Sequence, residues 1–256
     1  MQIDHVKDYW NRQPCNIKHS NFPVGTLEYF NEVEKRKYFV EPHIPSFAEF
    51  EKWKNLNVLE IGCGIGTDSI NFARAGAKLT VLDLAENNIN ITKNRFKVFN
   101  LKAKFVLGNV EELSSYFPKK QFDLVYSFGV LHHTPCPALA LEEIFKVLKP
   151  GGELRIMLYS KYSLKNLMIR LGKAQPEAQP NCPIAFTYSR KEINDLLKKF
   201  TILERRKTAI FPYKLNEYKK LNYVKKFPWN IVPAQLFHAL ERRFGWHYLI
   251  RAQKPN

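Results

Sequence analysis

The chain has 256 residues, 45% of them hydrophobic, which excludes a disordered or fibrous protein and allows one large domain with a substantial core. No apolar run approaches the roughly 20 residues of a membrane span, and the polar start Met1–His5 does not read as a signal peptide, so a cytoplasmic protein is expected. Four scattered cysteines without a C-x-x-C pair argue against a disulfide frame or zinc knuckle, and the net charge of +16 is local: from Arg155 onward lie 21 of the 40 Lys+Arg but 6 of the 24 Asp+Glu.

In chain order, residues 1–54 hold Asp8-Tyr9-Trp10-Asn11, a Pro14-Cys15 break and two helix-like pieces, Thr26–Phe39 and Ser46–Trp53. The first has a Thr26 cap and an amphipathic run through Tyr29, Phe30 and Val33. From Asn57 the pattern alternates strand and helix with short connections, which predicts parallel βαβ units with helices on both faces. Strands are expected at Val58–Ile61, Leu79–Asp83, Lys104–Leu107, Leu124–Ser127, Glu153–Tyr159, Thr201–Arg206 and Trp246–Ala252. Helices are expected at Ile65–Ala75, Glu86–Phe99, Pro137–Leu148 and Ser189–Phe200.

The first strand runs into Glu60-Ile61-Gly62-Cys63-Gly64-Ile65-Gly66. Glycines there allow φ > 0 and let the backbone approach a ligand that a Cβ would push away. The spacing is G-x-G-x-G, without the last glycine of a dinucleotide fingerprint, so no pyrophosphate clamp is indicated. Glu60 would repel a phosphate and suits a ligand carrying an amine or positive charge. Asp83 ends the second strand, the position from which a carboxylate takes both ribose hydroxyls. An adenosine without phosphates is the ligand implied.

Val58–Asp68, Asp83, Gly108-Asn109-Val110, Phe122–Tyr126 and Leu148-Lys149-Pro150-Gly151-Gly152 together resemble the successive motifs of class I S-adenosylmethionine-dependent methyltransferases, small-molecule type. The resemblance covers residues 55–160 closely and the rest loosely, with Gly245–Ile250 similar to the closing strand of that type. It implies a doubly wound, mostly parallel seven-stranded α/β sheet with an antiparallel last strand, helices on both faces and an N-terminal helical lid over residues 1–54. Residues 55–256 would then be the methyltransferase domain, with insertions at 160–188 and 210–244. The resemblance also implies S-adenosyl-L-methionine as cofactor, held by Glu60, Gly62, Cys63, Gly64, Gly66, Asp83, Leu84, Asn109, Val110 and Ser127. Asn109 departs from the family's usual Asp, although an amide still accepts a hydrogen bond from the adenine amino group.

Tyr126–Pro135 follows the fourth strand, at the carboxyl edge where such sheets bind ligands. His132 or His133 could serve there as a general base. Tyr29, Tyr38, Phe128, His132 and Tyr159 are the expected acceptor contacts, with Arg36 and His43 further lid candidates. No metal is expected: adjacent His132 and His133 diverge, and Cys136 completes no ligand set.

In the insertion 160–188, the prolines of Gln175–Pro183 predict a loop rather than a helix. The insertion 210–244 reads as two short helices, the first carrying Leu215, Tyr218, Leu221 and Val224 on one stripe and lysines on other faces across 214–226. The expected partner is a small-molecule acceptor, with an anionic one fitting the local charge; Tyr218 and Tyr223 would wall its pocket. An RNA methyltransferase using the basic, aromatic-rich region is the rival reading, not favoured because no Asn-Pro-Pro-Tyr-type motif or RNA-binding module is present. A non-catalytic partner protein of the same fold is a third.

Overall fold

A computed structural model describes residues 3–175, 181–220 and 222–256. Three helices precede the sheet: α1 (Ile3–Arg12), α2 (Leu27–Val40) and α3 (His43–Ala48). Thr26 caps α2 by accepting from the Tyr29 N–H at 3.2 Å. The piece expected at Ser46–Trp53 is not one helix. Glu49 takes a left-handed conformation (φ 48°), ending α3 and starting a separate 3-10 turn, Phe50–Trp53.

The alternating part follows as β1 (Asn57–Ile61), α4 (Thr67–Arg74), β2 (Lys78–Asp83), α5 (Glu86–Val98), β3 (Lys104–Leu107), α6 (Leu113–Tyr116), β4 (Phe122–Phe128), α7 (Pro137–Val147) and β5 (Leu148–Ser160). Then come α8 (Leu164–Arg170), the two-residue β6 (Thr187–Tyr188), α9 (Arg190–Leu196), β7 (Thr201–Thr208), α10 (Leu215–Lys219), α11 (Ala234–Phe244) and β8 (His247–Gln253). The sheet order is β3-β2-β1-β4-β5-β8-β7, with β6 paired to β5 off that path. Strands β1 to β5 pair in parallel, and β8 runs antiparallel to both β5 and β7.

Strand alternation divides the interior. Leu59, Ile61, Leu82, Val125, Leu154 and Ile156 belong to one hydrophobic cluster; Val58, Leu79, Val81, Leu124, Tyr126 and Met157 belong to another. Successive side chains of each strand thus feed opposite faces, and both faces are covered by helices. Glu60 shares the parity of Val58 and so turns toward α4, where Ser69 donates a hydrogen bond to its carboxylate.

The flanking segments depart from the expected pattern. Within 160–188 the structure has α8, capped by Ser163 (accepting from the Asn166 N–H at 3.1 Å), and the short β6. Of the prolines in Gln175–Pro183, Pro176 and Pro180 lie outside the described residues. Nor do residues 214–226 form one amphipathic helix: α10 stops at Lys219, and Tyr213 and Lys225 pair as an antiparallel bridge. That pairing folds the segment back on itself; Leu221 lies outside the described residues. Among the described residues no helix is long and apolar enough to cross a membrane.

Candidate active site

The carboxyl ends of β1, β2 and β4 converge on the glycine turn. Gly62, Gly64 and Gly66 have φ of 76°, 54° and 75°, a region side chains rarely adopt. Their surroundings differ. A Cβ on Gly62 would fall 2.2 Å from Val130 Cγ2, and one on Gly66 2.6 Å from Thr92 Cγ2, whereas one on Gly64 would meet nothing within 4 Å. Two glycines are therefore required by packing, and the middle one faces open space beside Asp83.

Asp83 is buried, and its carboxylate accepts from the Gly64 N–H (3.1 Å), the Ala85 N–H (2.9 Å) and the Asn88 amide (3.2 Å to each oxygen). Burial raises its pKa, while the two backbone N–H groups act in the other direction. Cys63 Sγ lies 3.6 Å from the same carboxylate, and burial pushes that thiol up. Leu84 follows directly, half-buried. After β3, Asn109 Oδ1 accepts from the Glu111 N–H at 3.0 Å, capping a 3-10 turn that begins with the buried Val110. Ser127, near the end of β4, is fully buried with no hydrogen-bond partner for Oγ. An adenosyl ligand carrying an amino group fits this set: an open glycine face, a carboxylate beside it and an unpartnered hydroxyl. Ribose hydroxyls reaching Asp83 would displace the Asn88 amide, since the carboxylate offers about four acceptor positions and its donors nearly fill them.

Sequence reasoning missed the centre of the charge network. Asp68, in the first turn of α4, accepts from Lys37 Nζ (2.8 Å), Tyr38 Oη (3.1 Å) and Tyr126 Oη (2.9 Å). Burial alone would lower the Lys37 ammonium, but Asp68 and Glu41 hold its pKa raised. Glu60 lies in the same field. Burial, then Asp68, pushes its pKa up to about 8. Arg95 of α5 is fully buried and ties the turn to α2, donating to Thr67 Oγ1 (3.0 Å), the Ile65 carbonyl (3.4 Å), the Phe30 carbonyl (3.3 Å) and Glu34 (2.7 Å). No local signal marks Lys37 or Arg95, because each side-chain hydrogen-bond partner is at least 28 residues away; Asp68 lies inside the glycine motif but reads there as an ordinary helix-start acid.

The histidine pair sits in a 3-10 turn, Leu131–His133, and both residues are buried. The His132 ring packs 3.8 Å from that of Tyr159, and burial, with His133 and His247 nearby, lowers its pKa well below the ordinary value. His133 Nδ1 bonds the Ile184 carbonyl, and its ring meets Trp10 of α1 at 5.2 Å. The Phe186 N–H donates to the His132 carbonyl at 2.9 Å, so the 160–188 insertion closes over this turn.

The other expected acceptor contacts are divided. Phe128 and Tyr159 share an aromatic group with His43, His247 and Trp246. Tyr38 belongs instead to the Asp68 network, and Tyr29 is buried between Phe30 and the Ile17 carbonyl, which accepts from its hydroxyl at 2.9 Å. Arg36 donates to the Tyr218 carbonyl at 2.9 Å and lies 4.6 Å from that ring. Tyr213 and Tyr223 pack on Phe39, so the aromatics of the second insertion dock on α2 and on one another. A cavity of about 710 Å³ lies between the start of α7 and α9, with Pro135 and Phe186 in its lining next to the histidine turn.

Sheet order, the glycine turn and the buried acid after β2 define a Rossmann-like fold of the nucleoside-binding kind. Residues 58–152 match the family profile described as a methyltransferase domain, and the sheet is that of the Rossmann-like methyltransferase fold. The chain is 33% identical over 150 residues (54% of this chain, 62% of the relative) to a ubiquinone biosynthesis O-methyltransferase of Xanthomonas euvesicatoria pv. vesicatoria. It is 28% identical over 146 residues (53% and 60%) to the protein of that name in Hydrogenovibrio crunogenus. The match thus spans less than two thirds of the length of these curated relatives. Magnesium protoporphyrin IX methyltransferase from Synechocystis, solved with bound SAH, superposes with a TM-score of 0.65 at 17% identity, over 99% of this chain and 100% of that one.

Proposed function

We propose that the chain is an S-adenosylmethionine-dependent methyltransferase acting on a hydroxyl of a small-molecule acceptor. The observation that carries this is the open face at Gly64 beside the buried Asp83 carboxylate. S-adenosylmethionine bound there would supply an activated methyl group on a sulfonium for in-line displacement by the acceptor. Asp83 would take the ribose hydroxyls, Glu60 would lie toward the amino end, Asn109 and Val110 would flank the adenine, and Gly62, Cys63, Gly64, Gly66, Leu84 and Ser127 would shape the remaining wall. Much of the rate then comes from alignment, which supplies about 7–11 kcal/mol in well-oriented systems. The names of the curated relatives support oxygen as the methylated atom. Lys165, over the Tyr159 and Trp246 rings and in the field of His247, favours an anionic acceptor. The RNA reading loses support, because Tyr213, Tyr218 and Tyr223 spend their faces on α2 and on one another rather than offering them to bases.

Titration calorimetry tests the reading. Asp83→Ala is expected to weaken S-adenosylmethionine binding by more than tenfold, since hydrogen bonds to a charged acceptor contribute about 1.5–3 kcal/mol. Unchanged affinity removes Asp83 from the site, and no binding by the wild type overturns the reading. With a phenol or catechol panel as acceptors, His132→Ala should keep cofactor affinity and lose about 100-fold or more in turnover if its neutral ring takes the acceptor proton. Full activity in that variant would leave His132 a packing residue.

A further inference from the structure

Glu41, His43 and His247 meet where α2 ends, α3 begins and β8 starts, although His247 is about 200 residues along the chain from the other two. One ligating atom from each lies within 4.8 Å of the others. The pair of rings is 5.8 Å apart, and Glu41 Oε1 is 3.7 Å from His247 Nδ1, too long for a hydrogen bond. His43 Nε2 and His247 Nδ1 are both buried with no hydrogen-bond partner. Two buried, unsatisfied imidazole nitrogens beside a carboxylate carry a cost unless something binds them.

We propose that Glu41, His43 and His247 bind one first-row divalent metal ion. Two imidazoles and one carboxylate form a donor set suited to zinc, iron(II) or manganese rather than to calcium, which takes six to eight oxygens. Three protein ligands leave room for water or an acceptor oxygen. Phe128, which ends β4, has its ring 6.0 Å from that of His43 and 6.1 Å from that of His247, and the Tyr159 ring stacks 5.9 Å from His247. Burial holds both histidines in the neutral form a metal requires, His43 at about 4 and His247 well below its ordinary range.

The charged groups around the cluster are the cations Lys37, Arg206 and Lys165 and the Asp68 carboxylate. Lys37 is paired with Asp68, Arg206 with Glu204 at 3.0 Å, and Lys165 lies over the Tyr159 and Trp246 rings. Glu41 is therefore the ligand on which the ion most depends. Among the described residues, the histidine pair considered from sequence belongs to no group of three possible ligands. A role for the ion in holding the acceptor oxygen rests on the proposed function; the binding of the ion does not.

Cobalt(II) titration of the full chain, stripped with chelator and followed by visible absorption, tests the site. The wild type should take up one equivalent with ligand-field bands, and zinc should displace it. Glu41→Gln and His247→Gln should each weaken uptake more than about 100-fold, beyond the 10–100-fold typical of outer-shell partners. SAH affinity measured on the same samples should be unchanged, which establishes that the variants are folded and keeps failure of the metal site distinct from failure of the cofactor reading. Absence of the bands in the wild type, or equal cobalt uptake by both variants, overturns the proposal.

Discussion

The cofactor half of the molecule and the segments that cover it are built by different kinds of interaction. Between Asn57 and Asp83 the partners are close in sequence: Glu60 with Ser69, Gly64 with Asp83, Gly62 with Leu82. The covering segments are joined across 100 residues or more: Arg155 with Glu49, Phe39 with Tyr223, Arg36 with Tyr218, His43 with His247. Backbone periodicity and glycine conformation are enough to build the first. The second exists only after the sheet has brought distant side chains together, so its chemistry is a product of tertiary structure.

The two halves meet at Asp68, which takes Lys37 and Tyr38 from α2 and Tyr126 from β4. Removing that carboxylate is the largest single disruption expected. Asp68→Ala leaves Lys37 buried without its hydrogen-bonded countercharge and the Tyr126 hydroxyl without its acceptor, at a cost of about 3–5 kcal/mol. Denaturant unfolding measures the loss. The double variant Asp68→Ala with Lys37→Met should recover part of it, because the uncompensated charge is gone; additivity of the two changes would mean that the pair is not coupled.

Within the cofactor half, neighbouring glycines should separate stability from binding. Gly62→Ala meets Val130 and must hold a left-handed conformation, so about 1–2 kcal/mol of backbone strain adds to about 1–3 kcal/mol of overpacking. Gly64→Ala meets no protein atom and should cost only the backbone part, while weakening S-adenosylmethionine because the methyl enters the ligand's space. Thermal melts and calorimetry on the two variants check this. Equal stability losses would mean that Val130 yields freely; unchanged cofactor affinity in Gly64→Ala would place the ligand elsewhere.

The same contrast explains what could be read in advance. The strands from Val58 to Tyr159 and the helices at Glu86 and Pro137 were legible because each carries its own burial pattern and end signals. The glycine turn and Asp83 were legible because their spacing along the chain is their geometry. Lys37, Arg95, Glu41 and His247 were not, since a lysine on an amphipathic helix or a histidine at a strand start looks the same whether it faces solvent or a partner 200 residues away. The expected 214–226 helix failed for a related reason: its stripe of Tyr218 and Val224 has helical spacing, but Tyr213 and Tyr223 find better packing on Phe39 when the chain turns back.

The smallest expected effect is a proton. Glu60 has its folded pKa raised from 4.5 to about 8 by burial and by Asp68, so the folded chain holds this proton more tightly than the unfolded one. Its contribution to stability is therefore fullest below pH 4.5 and declines as the pH rises toward 8, with a slope that approaches the limit of about 1.4 kcal/mol per pH unit midway between the two values. Glu60→Gln should flatten that decline. A ligand bringing a cationic ammonium and sulfonium beside Glu60 lowers its pKa again, so S-adenosylmethionine binding near pH 7 should release part of one proton. Calorimetry in buffers of different ionisation enthalpy reads that number directly. The wild type should release a fraction of a proton and Glu60→Gln none; equal release by both would move the source to another group and take Glu60 away from the amino end of the cofactor.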